Sequence, residues 1–263
     1  MPGWLQAGLW GLLSGSALLI GTAVAWYAAI PSRVIAVIMS FGSGVLVSAL
    51  SFDLMEEALH TGGFWPTIGG FVGGAAVYTA ANVVLSHRGA RHRKRSGSQQ
   101  PSDAGSGIAI VLGALLDGIP ESVAIGVSLL GPGSVGIAAV VAIFLSNVPE
   151  GLSGTAGMKK AGRSFAYVFG LWGGITLASG IAALLGYVVI GGLGTGVVAA
   201  TDAVAAGAIL AMIADTMIPE AFEVTHDYAG LITVLGFMVA FALSQLASPD
   251  KSPAPPPATT APG

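Results

Sequence analysis

Residues 164–201 read SFAYVFGLWGGITLASGIAALLGYVVIGGLGTGVVAAT and contain no charged side chain. A helix rising 1.5 Å per residue needs about 20 apolar residues to cross roughly 30 Å of hydrocarbon. The run therefore holds one complete span and the start of another, parted by the glycines between 191 and 196. Residues 5–30, 34–52, 64–86 and 228–249 are likewise free of charge. These runs predict a polytopic all-α integral membrane protein.

The composition agrees. Of 263 residues, 54% are hydrophobic and 9% charged, against roughly 25% charged in a soluble domain. The 40 glycines suit helices that pack backbone to backbone in lipid. With no cysteine, disulfides, thiolate metal sites and thiol catalysis are excluded. A formal charge of -3 gives no footprint for nucleic acid.

Cutting the apolar runs at proline, glycine clusters and charges predicts eight transmembrane helices, near 5–29, 34–59, 64–86, 107–130, 134–157, 164–191, 197–222 and 229–248. Residues 1–248 form the expected transmembrane domain, interrupted by a polar, basic cytoplasmic loop at about 87–106, and the Pro-rich tail 249–263 is expected to be disordered. Placing both termini outside puts every Lys and Arg except Lys251 on the cytoplasmic side, as the positive-inside rule asks. The N-terminal run lacks a basic n-region and is too long for a signal-peptide core, so it reads as a retained first helix.

Helices 2 and 7 share a pattern: Gly44 precedes Glu57-Ala58 by the spacing at which Gly207 precedes Glu220-Ala221. The predicted topology runs these helices in opposite directions, the sign of an inverted repeat.

The carboxylates Asp53, Glu56, Glu57, Asp117, Glu121, Glu150, Asp202, Asp215, Glu220 and Glu223 lie within or at the ends of predicted spans, without intramembrane Lys or Arg. A carboxylate at the bilayer centre costs on the order of 3 kcal/mol, so a cation or protons must compensate. Helices 4 and 5 carry copies of one motif, LLDGIPES from Leu115 to Ser122 and FLSNVPEG from Phe144 to Gly151. Pro120 and Pro149 withhold the helical hydrogen bond from the carbonyls of Leu116 and Leu145, which become available to a cation. Asp117 sits one turn from Glu121; Ser146 and Asn147 sit one turn from Glu150, at middle depth in both helices. The two faces, opposed, predict an oxygen cage. Asp53 and Glu57 fall toward the outer mouth, Asp215 and Glu220 toward the cytoplasmic one. Asp202 reads as a helix N-cap at the outer surface, and His60, His87, His92 and His226 fall in loops or at span ends.

With the paired Pro-Glu motif, the eight spans, the loop after helix 3 and the G-x(12)-E-A pattern, the chain resembles the ZIP (Zrt/Irt-like) divalent-metal transporters. The resemblance implies a ZIP-like bundle, a plasma-membrane location, a homodimer in the lipid bilayer, and zinc, with iron or manganese, as transported ion rather than prosthetic group. Family ligand roles carry over to Glu121, Asn147 and Glu150, and by position to Asp117 and Ser146. Asp117-Gly118 stands where the family has His-Asn, Asp53 replaces a frequent His, Thr216 replaces a common acidic residue, and helix 6 lacks a carboxylate. Other readings are a proton-coupled permease for another solute and a non-transporting membrane interaction protein. An intramembrane hydrolase would need an embedded His, or a Ser with a base, and no embedded His exists.

Overall fold

The computed structural model describes residues 1–90, 106–130 and 137–247. The expected tail, and residues 91–105 of the expected loop, lie outside these. The described residues form helices and no strand. We label the rods α1 (Gly3–Tyr27), α2 (Ser32–Gly62), α3 (Phe64–Leu85, with a π turn Ser86–Ala90), α4 (Ser106–Ser128), α5 (Ile137–Lys160), α6 (Phe165–Leu185, with a π turn Gly186–Ile190), α7 (Thr195–Met212, Ile213–Met217 and Ile218–Thr225) and α8 (Ala229–Ala247). Six stretches among the described residues are long and apolar enough to cross a membrane, the last of them, Thr195–Leu246, taking in both α7 and α8. The π turn after α3 makes residues 87–90 helical, so that rod extends past the predicted start of the loop.

Short links between rods rest on residues that permit a sharp reversal. Gly63, at φ 75°, alone joins α2 to α3. Gly162, at φ 75°, closes α5: its N–H donates to the Lys159 carbonyl and that of Arg163 to the Met158 carbonyl, satisfying carbonyls the helix end leaves open. Ser164 then caps α6, its hydroxyl accepting from the Tyr167 N–H.

Side-chain bonds reveal rod direction. Asn147, Thr155 and Lys159 of α5 donate in order to Ser14, Thr22 and Trp26 of α1, so α1 and α5 run parallel. Gly42 lies near Met217 while Gly62 meets Ala199, so α2 and α7 run antiparallel. Arg33, Arg88, Lys159, Lys160 and Arg163 consequently gather at one end of the bundle.

The repeat read in α2 and α7 extends into the backbone. One offset relates Gly44 to Gly207, the π turn Leu50–Leu54 to Ile213–Met217, Glu57 to Glu220, and Gly63 to His226, both at positive φ. Packing follows the same exchange: α2 on α8 matches α7 on α3, α1 on α5 matches α6 on α4, and α2 on α5 matches α7 on α4. Glycines set these contacts. A Cβ at Gly44 would overlap the Thr233 carbonyl, and one at Gly207 the Phe71 carbonyl. Since lipid offers no hydrophobic drive between helices, close approach of backbones is what holds the pairs. Gly44→Val or Gly207→Val is therefore expected to cost about 3 kcal/mol or more and to lower the yield of monodisperse protein in size-exclusion chromatography. Gly69→Val and Gly73→Val, where nothing lies within 4 Å of a Cβ, should elute like wild type.

Candidate metal pathway

Both prolines lie inside continuous helices, α4 through Pro120 and α5 through Pro149. α5 approaches α1 and α2 through small residues: a Cβ at Gly151 would overlap the Leu18 carbonyl, and Gly42 leaves 3.0 Å to the Pro149 ring. α4 is held on α6 in the matching way, Gly126 against the Ala183 carbonyl. This packing turns the motif faces inward. Asp117, Glu121, Ser146, Asn147 and Glu150 are all buried, as is Glu220 on α7. Asp53 is half-buried, while Glu57 and Asp215 are exposed.

Neighbouring helices engage these groups. The Tyr78 hydroxyl of α3 donates to Asp117 Oδ1 at 2.5 Å, and one turn along, Asn82 Nδ2 donates to Asp215 Oδ2 at 3.2 Å. Ser153, next on the face after Glu150, donates to Glu220 Oε1 at 3.3 Å, joining the middle of α5 to the end of α7. Ser244 of α8 donates to Asp53 Oδ1 at 3.1 Å. Asn147 Nδ2 donates to the Ser14 carbonyl at 3.1 Å, and Ser146 Oγ to the Ile143 carbonyl at 2.9 Å.

Of the motif side chains expected to form an oxygen cage, Asp117, Ser146 and Asn147 are engaged by neighbouring groups. Among the described residues no three His, Asp or Glu side chains stand close enough together to hold a metal ion. The neighbours explain the spread: Asp117 is drawn to α3 by Tyr78, Asn147 to α1 by Ser14, and α4 and α5 pack mainly on α6 and α1 rather than on each other.

Tyr78 and Asn82, which touch two of these carboxylates, are not among the residues read from the sequence, although their i, i+4 spacing on a Gly- and Val-rich helix is a legible polar stripe. Asp202 does not cap a helix. α7 begins at Thr195 with Gly194 before it, about two turns earlier, and Asp202 is only 2% exposed. His60 is at the exposed end of α2, 3.9 Å from Glu56, and His226 is in the link from α7 to α8.

Apolar rods, an inverted repeat and an interior lined by carboxylates on α4, α5 and α7 define a multi-span helical membrane protein of the kind that houses ion sites between its repeats. No family model matches the chain. Over 243 residues it is 31% identical to the zinc transporter ZupT of Enterobacter sp. (strain 638), covering 89% of this chain and 93% of that relative. The chain belongs to the ZIP family.

Proposed function

We propose that this protein carries a divalent metal cation, zinc foremost, across the plasma membrane toward the cytoplasm. The observation that carries the proposal is the burial of Asp117, Glu121 and Glu150 on interior faces of α4 and α5, helices with no Lys or Arg among residues 106–158. Carboxylates buried at the middle of two helices whose residues 106–158 include no Lys or Arg make the interior negative, and a divalent cation would neutralise it. The name of the zinc transporter relative favours zinc as that cation.

Glu121 and Glu150 are the central ligands, with Asp117, Ser146 and the amide oxygen of Asn147 beside them. Asp53 and Glu57 collect the ion at one mouth; Asp215 and Glu220 receive it toward the other, where Ser153 bridges from the turn after Glu150. Tyr78 is a positioning residue, since its hydroxyl orients the Asp117 carboxylate. All eight rods span the bilayer, α5 included, with both termini outside. The five basic residues collected at one end support that orientation by the positive-inside rule. Residues 1–248 are the transport unit, and a homodimer is its assembly.

Zinc uptake into proteoliposomes containing the purified full-length chain tests transport; uptake no greater than in empty vesicles refutes it. Orientation has its own check, because the chain has no native cysteine to label. In intact cells an impermeant thiol reagent should modify Gly192→Cys, at an exposed link, and spare Lys160→Cys, at the basic end. The opposite pattern inverts the topology.

A further inference from the structure

Asp202 occupies the third turn of α7, about 10 Å along from Thr195, on the buried face that also carries Ala199, Ala203 and Ala206. The last turns of α2 pack here so closely that Gly62 touches Ala199, and α3 closes the side with Gly70 against Ala203. Within this small-residue seam Asp202 is 2% exposed, and its Oδ1 has no hydrogen-bond partner. The group within electrostatic reach is another carboxylate, Glu57 of α2, exposed at the lip and accepting from Thr61 at 3.1 Å. No Lys or Arg occurs in 34–87 or 164–250, so α3 carries none before Arg88, α7 carries none at all, and Arg33 of α2 lies at its opposite end; the histidine at this end, His60, stands 3.9 Å from Glu56 and is exposed.

Two carboxylates, one buried and short of a donor and the other exposed at the end of α2, repel each other and concentrate negative potential at this end of the bundle. Two other buried acids of the bundle accept from a hydroxyl, Asp117 from Tyr78 and Glu220 from Ser153, whereas Asp202 Oδ1 has no such donor. We infer that Asp202 and Glu57 form a divalent-cation binding site at the end of the bundle opposite the basic residues, the first stop before Asp53, which lies one turn further in. The inference rests on the transport proposal and adds to it a ligand on α7. Glu57 is exposed and exchanges ions with water; Asp202 supplies the second charge from within the wall, so the cation is drawn past the lip.

The test uses the purified full-length chain carrying Glu121→Ala and Glu150→Ala, so that the central ligands do not mask the outer pair, with zinc as the probe. Calorimetric titration should still show zinc binding in this background, to which the Asp215–Glu220 end contributes a part that neither outer substitution alters. Adding Asp202→Asn or Glu57→Gln should weaken the remainder about tenfold or more, the scale on which even supporting groups act at metal sites. Without metal, Asp202→Asn should keep or raise Tm, because it removes a charge from the interior, and it should diminish the rise in Tm that zinc brings. A lowered Tm without metal would mark Asp202 as structural and overturn the site. So would a titration unchanged by both substitutions, or the absence of any zinc event in the starting background; Glu57, being exposed, keeps this arm free of folding effects. Each of those results leaves transport standing, since wild-type uptake is measured separately in proteoliposomes.

Discussion

Glu121→Ala combined with Glu150→Ala should reduce zinc uptake by proteoliposomes to that of empty vesicles. A divalent ion entering the middle of the bundle gives up most of its water, and the neutral oxygens of Ser146 and Asn147 cannot replace two negative charges in a low-dielectric interior. Each single substitution should already reduce the rate to a few per cent or less, about 2 kcal/mol or more in barrier. Insertion and folding should survive, because removing a buried carboxylate relieves a cost on the order of 3 kcal/mol. The variant should therefore elute as wild type does, with an equal or higher Tm. Wild-type uptake by the double variant would eliminate these glutamates as ligands. A misfolded double variant would mean that they serve the packing instead, and Glu121→Gln with Glu150→Gln would then separate charge from shape.

Much of this architecture was legible because two kinds of signal do not depend on tertiary context. Apolar run length marked the rods, and the glycine and proline punctuation marked their ends within a few residues, as at Gly63, Gly162 and Ser164. The inverted repeat was legible from a single spacing in α2 and α7, since the same residues that place Glu57 and Glu220 also surround the two π turns. The π turns themselves were not, because a one-residue shift in hydrogen bonding leaves no trace in hydropathy.

The interior was legible by residue type and only partly by geometry. Motif spacing placed Asp117, Glu121, Ser146, Asn147 and Glu150 on inward faces, and all five are buried. Spacing within a helix says nothing about which neighbour reaches across, so Tyr78 on Asp117 and Ser14 on Asn147 could not be foreseen. Asp202 failed for a different reason. In a run of Gly, Ala, Val and Thr, a lone Asp near a predicted helix start has the signature of a cap, but the helix begins at Thr195, close to the predicted 197, and Asp202 lies about two turns inside it as a buried acid.

The donor atoms also bear on which metal is carried. Every side chain proposed near the centre offers oxygen: the carboxylates of Asp117, Glu121 and Glu150, the Ser146 hydroxyl and the Asn147 amide. Carboxylate and carbonyl donors suit harder ions such as manganese, whereas imidazole favours zinc; at equal geometry zinc still outcompetes manganese and iron(II) by the divalent affinity order. The two tendencies oppose, so wild-type protein should take up zinc and show only modest discrimination in uptake assays where manganese or iron(II) competes. Asp117→His supplies a nitrogen donor at the position where the family carries His. That variant should shift competition toward zinc by about tenfold, near 1.4 kcal/mol. Only neutral imidazole ligates, so the gain should be present above the ordinary His range near 6.5 and fade as pH falls through it. Tyr78 gives an internal control: with Tyr78→Phe the Asp117 carboxylate loses the donor that orients it, so uptake should weaken for zinc and manganese alike, leaving their ratio unchanged. Strict zinc selectivity in the wild type, unaltered by Asp117→His, would show that the ratio is set elsewhere than at the central oxygens.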